Sequence, residues 1–149
     1  MTAQVIPYLH IKGAARAIEF YRQAFGATEV LRLSEPDGKI GHAEIQIGGA
    51  RIMIADEYPE YGILGPQSLG GTSVSLHLTV PDVDAFAQQA VAAGAKLAKP
   101  IKDEFYGERG GRLEDPFGHV WQVMTRIEEV SPEEMQRRYD ALLAGGGQG

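Results

Sequence analysis

Three side chains on predicted strands are of types that bind metal ions or transfer protons. His42 and Glu44 are two residues apart in one strand, so both point to the same face of the sheet. His77 lies in a later strand, where Leu76 and Leu78 occupy the opposite, apolar face. Two imidazoles and one carboxylate suit Zn, Ni, Mn or Fe with open coordination positions. Alternatively, the same three residues hydrogen-bond a ligand, or His77 and Glu44 act as a catalytic base–acid pair.

Other polar and aromatic side chains are candidates for contact with a small ligand. An arginine near the mouth of a cleft suits a carboxylate or phosphate group. Together with His42, these predicted ligand-binding residues are Tyr8, Gln46, Ser75, Tyr106, Arg109 and Gln122. His10 and His119 are interpreted as structural residues, and the position of Trp121 in its strand predicts that it lies in the core.

The elements that position these residues repeat along the chain. A strand, a helix and three more strands follow one another up to residue 57, and the same order restarts at residue 74. Residues 102–111 are predicted to be a polar loop before the last hairpin. We therefore predict an α+β fold of two tandem βαβββ modules, which form a curved mixed sheet around a cleft.

The predicted boundaries follow composition and capping signals. Ser131-Pro132-Glu133-Glu134 combines an N-cap serine, a proline at the first helical position and a glutamate at the third, so a C-terminal helix begins there. The predicted segments are a first module at 1–57, a Gly-, Pro- and Tyr-rich linker or lid at 58–73, a second module at 74–130, the C-terminal helix at 131–144, and a disordered tail at 145–149.

The turn Asp115-Pro116-Phe117-Gly118 and the strand that follows it resemble the closing hairpin of the vicinal-oxygen-chelate superfamily. That superfamily includes glyoxalase I, extradiol dioxygenases, fosfomycin-resistance enzymes and bleomycin-binding proteins. The resemblance implies metal ligands on the first and fourth strands of each module. Here those positions fall on Ile6, Met53, Ser75 and Gln122, with Gln122 where metal-dependent members usually have glutamate. Because none of the four is a strong ligand, the inherited metal centre is predicted to be absent.

Composition narrows the function further. A net charge of −6 argues against nucleic acid or an anionic membrane as the main partner, and no apolar run approaches the length of a membrane span. No cysteine is present and no secretory signal is visible, so a cytoplasmic protein is expected.

The leading hypothesis is that the cleft binds a small aromatic or anionic molecule without a metal cofactor, in a protein that forms a homodimer. The alternative is a metal-dependent lyase, isomerase or dioxygenase that uses His42, Glu44 and His77 as a non-standard site. Whether the protein is an enzyme stays open at this point.

Overall fold

The computed structural model describes residues 2–146 and confirms the two tandem βαβββ modules. The strands are β1 Tyr8–Ile11, β2 Thr28–Ser34, β3 Ile40–Ile47, β4 Ala50–Asp56, β5 Ser75–Thr79, β6 Lys96–Asp103, β7 Glu108–Glu114 and β8 Val120–Arg126. The α-helices are α1 Ala14–Phe25, α2 Pro66–Leu69, α3 Val83–Ala93 and α4 Pro132–Ala144, and a 3-10 helix spans Pro59–Tyr61. None of the helices within residues 2–146 combines the length and the apolar character needed to cross a bilayer.

The two modules form two four-stranded sheets of the same topology. The strand orders are β1-β4-β3-β2 and β5-β8-β7-β6, so β1 and β5 are edge strands. In each sheet the first and fourth strands of the module pair in parallel, and the remaining neighbours are antiparallel. Pro7 precedes the edge strand β1, a position at which the missing N–H of proline costs no ladder bond.

The helix-facing sides of both sheets share one hydrophobic core. Apolar residues recur at helical spacing in α1, and Phe25 of this helix stacks on Phe86 of α3 with ring centroids 5.2 Å apart. Trp121 on β8 contacts Tyr21 and Phe25 edge to face and is 1% exposed, which confirms that it belongs to the core. We call the opposite side of each sheet, turned away from this core, its open face.

Two buried carboxyl groups at the end of β4 fix the segments around it. Helix α1 begins after Gly13, which has no side chain to cap it, and Asp56 accepts hydrogen bonds from the backbone N–H groups of Gly13 and Ala14 instead. Glu57 accepts bonds from the Gly65 N–H and the Ser68 hydroxyl, and the Gly65 bond lowers the pKa of Glu57. The segment predicted as a linker or lid is therefore tied to the first module at its centre.

The prediction of a loop at residues 102–111 is wrong, because most of this segment belongs to the β6–β7 hairpin. Gly110 and Gly111 lie inside β7, where a Cβ atom on Gly110 would clash with the Val123 carbonyl oxygen. Glycine is thus needed there for close passage of the backbone, not for a turn.

The ends of the chain agree with the prediction where they are described. The C-terminal helix is confirmed at Pro132–Ala144, with the Ser131 hydroxyl accepting from the Glu134 N–H. Of the tail predicted to be disordered, Gly145 and Gly146 form a turn, and residues 147–149 lie outside the described part of the chain.

Candidate functional site

Register fixes which side chains lie in one row across the open face of the first sheet. Tyr8 of β1 is opposite Met53 of β4, Met53 is opposite Glu44 of β3, and Glu44 is opposite Leu31 of β2. His10 and His42 lie on the same face, two residues away from Tyr8 and Glu44 along their strands. The strand periodicity that placed His42 and Glu44 on a polar face is confirmed by this register.

A chain of polar contacts runs along this first row. The Tyr8 hydroxyl and His42 Nδ1 are 2.8 Å apart, and His42 Nε2 is 3.0 Å from a carboxylate oxygen of Glu44. The second oxygen of Glu44 lies 3.4 Å from Nε of Arg51. Partial burial, and next the charge of Glu44, raise the pKa of Tyr8. The negative charge of Glu44 is therefore compensated locally, because the guanidinium of Arg51 and the imidazole of His42 both lie beside its carboxylate.

The equivalent row of the second sheet is basic. His77 of β5 is opposite Gln122 of β8, Gln122 is opposite Arg112 of β7, and Arg112 is opposite Lys99 of β6. Lys99 is 3.8 Å from a carboxylate oxygen of Glu104. Arg112 is exposed and has no hydrogen-bond or ion-pair partner within residues 2–146. At the position where the first module has the paired Glu44, the second therefore has an unpaired guanidinium.

His77 and Glu44, the residues of the predicted base–acid pair, have different partners. His77 Nε2 is 3.5 Å from a carboxylate oxygen of Glu108, whereas Glu44 contacts His42 and Arg51. Within residues 2–146 no three histidine or acidic side chains are placed so as to hold a metal ion. His42, Glu44 and His77 thus do not assemble into one centre within a single chain.

The remaining predicted ligand-binding residues lie in different surroundings. Arg109 has the opposite strand parity from Arg112 and pairs with Asp84 and Asp103, with N–O distances of 2.9 Å. Tyr106 is in the β6–β7 turn, and burial raises its pKa. Ser75, Gln46 and Gln122 are all on the open faces. Their side chains lie at the start of β5, near the end of β3 and in the centre of β8 respectively.

Arg112 is not among the ligand-binding residues predicted from the sequence, although it belongs to the same arginine-containing segment as Tyr106 and Arg109. Extending the alternation of β8 across the hairpin would have placed it opposite Gln122.

Comparison with known proteins decides the family. The sequence model of the glyoxalase/bleomycin resistance protein/dioxygenase superfamily matches residues 9–123. The chain belongs to this superfamily.

Relatives within the superfamily span nearly the whole chain. The uncharacterized protein Mb0911c of Mycobacterium bovis is 44% identical over 133 residues, which cover 87% of this chain and 88% of that protein. The crystal structure of protein PA1353 from Pseudomonas aeruginosa matches with a TM-score of 0.68 and 27% identity, over 85% of this chain and 100% of that one. TioX from Micromonospora sp. ML1 matches with a TM-score of 0.64 and 25% identity, at the same coverage of both chains.

The four metal-ligand positions that the resemblance to this superfamily implied are Ile6, Met53, Ser75 and Gln122. They offer an aliphatic chain, a thioether, a hydroxyl and an amide, without a carboxylate or an imidazole to offset the dehydration of a divalent ion. In the register, Met53 lies opposite Tyr8 and Gln122 lies opposite His77, so the neighbouring strand adds a phenol and one imidazole. The residues at the superfamily's metal positions do not fit a divalent metal.

Proposed function

We propose that this protein binds a small anionic, partly aromatic molecule on its open faces without a metal ion. The observation that carries the proposal is the unpaired Arg112, which lies between Gln122 and Lys99 in one row of the second sheet. A guanidinium binds a carboxylate or phosphate through two parallel hydrogen bonds. His77 and Ser75 on the neighbouring edge strand would supply further hydrogen bonds to the same ligand.

The first sheet supplies the aromatic part of the proposed site. The rings of Tyr8 and His10 stack with centroids 4.9 Å apart, and the ring of His42 lies 5.4 Å from that of Tyr8. The hydrogen bond from Tyr8 to His42 restrains both rings, so little side-chain freedom would be lost on binding. Gln46 extends the polar edge of this surface.

We also propose that the protein acts as a homodimer. Strand β2 is an edge strand that is exposed along its whole length, with Leu33 61% and Val30 46% exposed. Apolar edge strands of this kind favour association with another chain. The cytoplasmic location expected from the sequence stays a prediction.

The test of the binding proposal uses the purified full chain and calorimetric titration with benzoate and phenyl phosphate. Arg112→Ala should weaken binding about 10- to 100-fold, because a hydrogen bond to a charged group is worth roughly 1.5–3 kcal/mol. Arg22→Ala is the matched control, since Arg22 is an exposed arginine on helix α1 that pairs only loosely with Glu19. Its affinity should equal that of the unsubstituted protein.

The same titrations separate the metal-free proposal from oxygen-chelate chemistry. We expect no stoichiometric Ni, Zn, Mn or Fe(II) in elemental analysis, and no change in affinity when these ions or a chelator are added. A stoichiometric ion that is lost in His42→Ala or His77→Ala would overturn the metal-free proposal. Equal affinities for Arg112→Ala and Arg22→Ala would overturn the assignment of the anion site.

A further inference from the structure

Charged residues lie directly opposite each other at three positions of the β6–β7 hairpin. At two of these positions the charges are of opposite sign, in the pairs Lys96–Glu114 and Asp103–Arg109. At the third position, Lys99 is opposite Arg112, so two cations are neighbours on the open face of the second sheet. Like charges directly opposite each other destabilise a sheet, because their Cβ atoms are only about 4.5–5.5 Å apart. An anion held between these two side chains would remove the repulsion.

The nearby carboxylate of Glu104 compensates only part of this positive charge. Its Oε1 atom lies 3.8 Å from Nζ of Lys99 and 4.0 Å from Nζ of Lys102, so two lysines share one carboxylate. Both distances are longer than a hydrogen bond. Together with Arg112, these side chains comprise three cations and one anion. The local excess of positive charge contrasts with the net charge of −6 of the whole chain.

The equivalent pair of the first module has no excess of positive charge. There Glu44 of β3 is opposite Leu31 of β2, an apolar residue. Glu44 also has Arg51 and His42 beside its carboxylate. Since both modules have the same topology, the fold does not require two cations at these positions. The pair in the second module is therefore better explained by a ligand.

We propose that Lys99 and Arg112 together bind the dianionic phosphate of a phosphate monoester. The inference rests on the anion site proposed above and names the anion that this site takes. A phosphate monoester group carries about −1.5 to −2 charges at neutral pH and has three acceptor oxygens. A guanidinium binds two such oxygens as a fork, and an ammonium binds the third as a point charge. A carboxylate carries one charge, so it would leave one of the two cations uncompensated.

Both cationic side chains are accessible to a ligand from solvent. Arg112 is exposed, and 35% of the Lys99 side chain is exposed. Gln122 lies on the other side of Arg112 in the same row, and its amide can donate a further hydrogen bond to the phosphate. Lys99 is thus the residue that would make the site prefer a phosphate to a carboxylate.

The test is calorimetric titration of the purified full chain at pH 8 with phenyl phosphate and phenyl sulfate. Both ligands carry a tetrahedral group on the same ring, but only the phosphate is a dianion, because its second pKa is about 6. We expect phenyl phosphate to bind at least about tenfold more tightly, since it gains a charge-assisted hydrogen bond. Lys99→Gln should reduce this preference to less than about threefold, whereas Lys99→Arg should retain it because the charge is kept.

Lys102→Gln is the matched control. Lys102 contacts the same carboxylate of Glu104, but it is opposite Gly110 and not Arg112. The preference for phenyl phosphate should therefore be retained in this variant. An unchanged preference in Lys99→Gln, or an equal loss in Lys102→Gln, would overturn the role of Lys99. Loss of the preference in Lys99→Arg would overturn the argument from charge.

The same titrations separate failure of this inference from failure of the anion site. Equal affinities for phenyl phosphate and phenyl sulfate would overturn the inference, even if Arg112→Ala still weakens benzoate binding relative to Arg22→Ala. Inorganic phosphate that binds as tightly as phenyl phosphate would overturn the assignment to a monoester. Absence of binding for all of these anions would overturn the anion site itself.

Discussion

Asp115, in the turn before β8, offers the sharpest test of how this fold is held together. The carboxyl group is 3% exposed and accepts four hydrogen bonds. The Tyr21 hydroxyl and the Trp121 indole N–H donate to Oδ2 at 2.5 and 3.0 Å. The backbone N–H groups of Phe117 and His119 donate to Oδ1 at 2.9 and 3.1 Å. Asp115 thus links helix α1 to strand β8 through the buried side chains of Tyr21 and Trp121.

The cost of Asp115→Ala follows from the donors that it leaves unpaired. Tyr21 and Trp121 are 0% and 1% exposed, so water cannot replace the lost partner of either. A buried donor left unsatisfied costs roughly 1–3 kcal/mol, so the two side-chain donors together give about 2–6 kcal/mol. That is a large part of the roughly 5–15 kcal/mol that stabilises a typical domain. Tyr21→Phe removes one donor together with its need for a partner, and should cost only about 1–2 kcal/mol.

The assay is urea unfolding followed by circular dichroism. Fluorescence is not used, because Trp121 lies at the altered site and its emission would change with the substitution itself. In the Asp115→Ala background, Tyr21→Phe should lower the free energy of unfolding only slightly or even raise it. The difference from its effect in the unsubstituted protein gives a coupling of about 1–3 kcal/mol between the two residues. Asp37→Ala is the control, since Asp37 lies in an exposed hairpin turn of the first module and, within residues 2–146, accepts a hydrogen bond only from the Lys39 N–H. A loss below about 1 kcal/mol for Asp115→Ala, or an unchanged cost of Tyr21→Phe, would refute this reasoning.

Two further predictions concern pH and assembly. Burial lowers the folded-state pKa of His119, so the unfolded chain takes up a proton first as the pH falls below about 6.5. The free energy of unfolding therefore falls on acidification, by at most about 1.4 kcal/mol per pH unit for this one proton. Between pH 7.5 and 5.5, His119→Phe should lose less unfolding free energy than the unsubstituted protein does. Equal losses would contradict this. Leu33→Glu, on edge strand β2, should convert the proposed dimer to a monomer in light scattering. Leu69→Glu, at another exposed leucine, should leave the dimer intact. A monomeric unsubstituted protein would rule out the proposed dimer.

The strand alternation and the repeat were sufficient to predict the architecture. Trp121 was correctly assigned to the core, and His42 and Glu44 to a shared polar face, because a period of two leaves no other arrangement once one face is apolar. The module order was also correct because the turn and capping residues recur in both halves of the chain.

The predictions failed where contacts distant in sequence decide the outcome. Gly110 and Gly111 indicate a loop locally, yet they allow β7 to pass close to the backbones of β8 and β6. The hydrogen bond from Tyr21 to Asp115 had no local signal either, because its two residues are 94 positions apart in the sequence.

The repeat itself supplies an argument for where a ligand would bind. Equivalent positions in the two modules carry Glu44 and Arg112, each beside the fourth strand of its own sheet. Glu44 is neutralised by Arg51 and contacted by His42, whereas Arg112 has no such partner in the described residues. An exposed guanidinium adds little to the stability of the fold. The position of Arg112 between Gln122 and Lys99 is therefore better explained by an anion that binds there. Exchange of the two charges, in the double variant Glu44→Arg and Arg112→Glu, should therefore abolish anion binding at the second row.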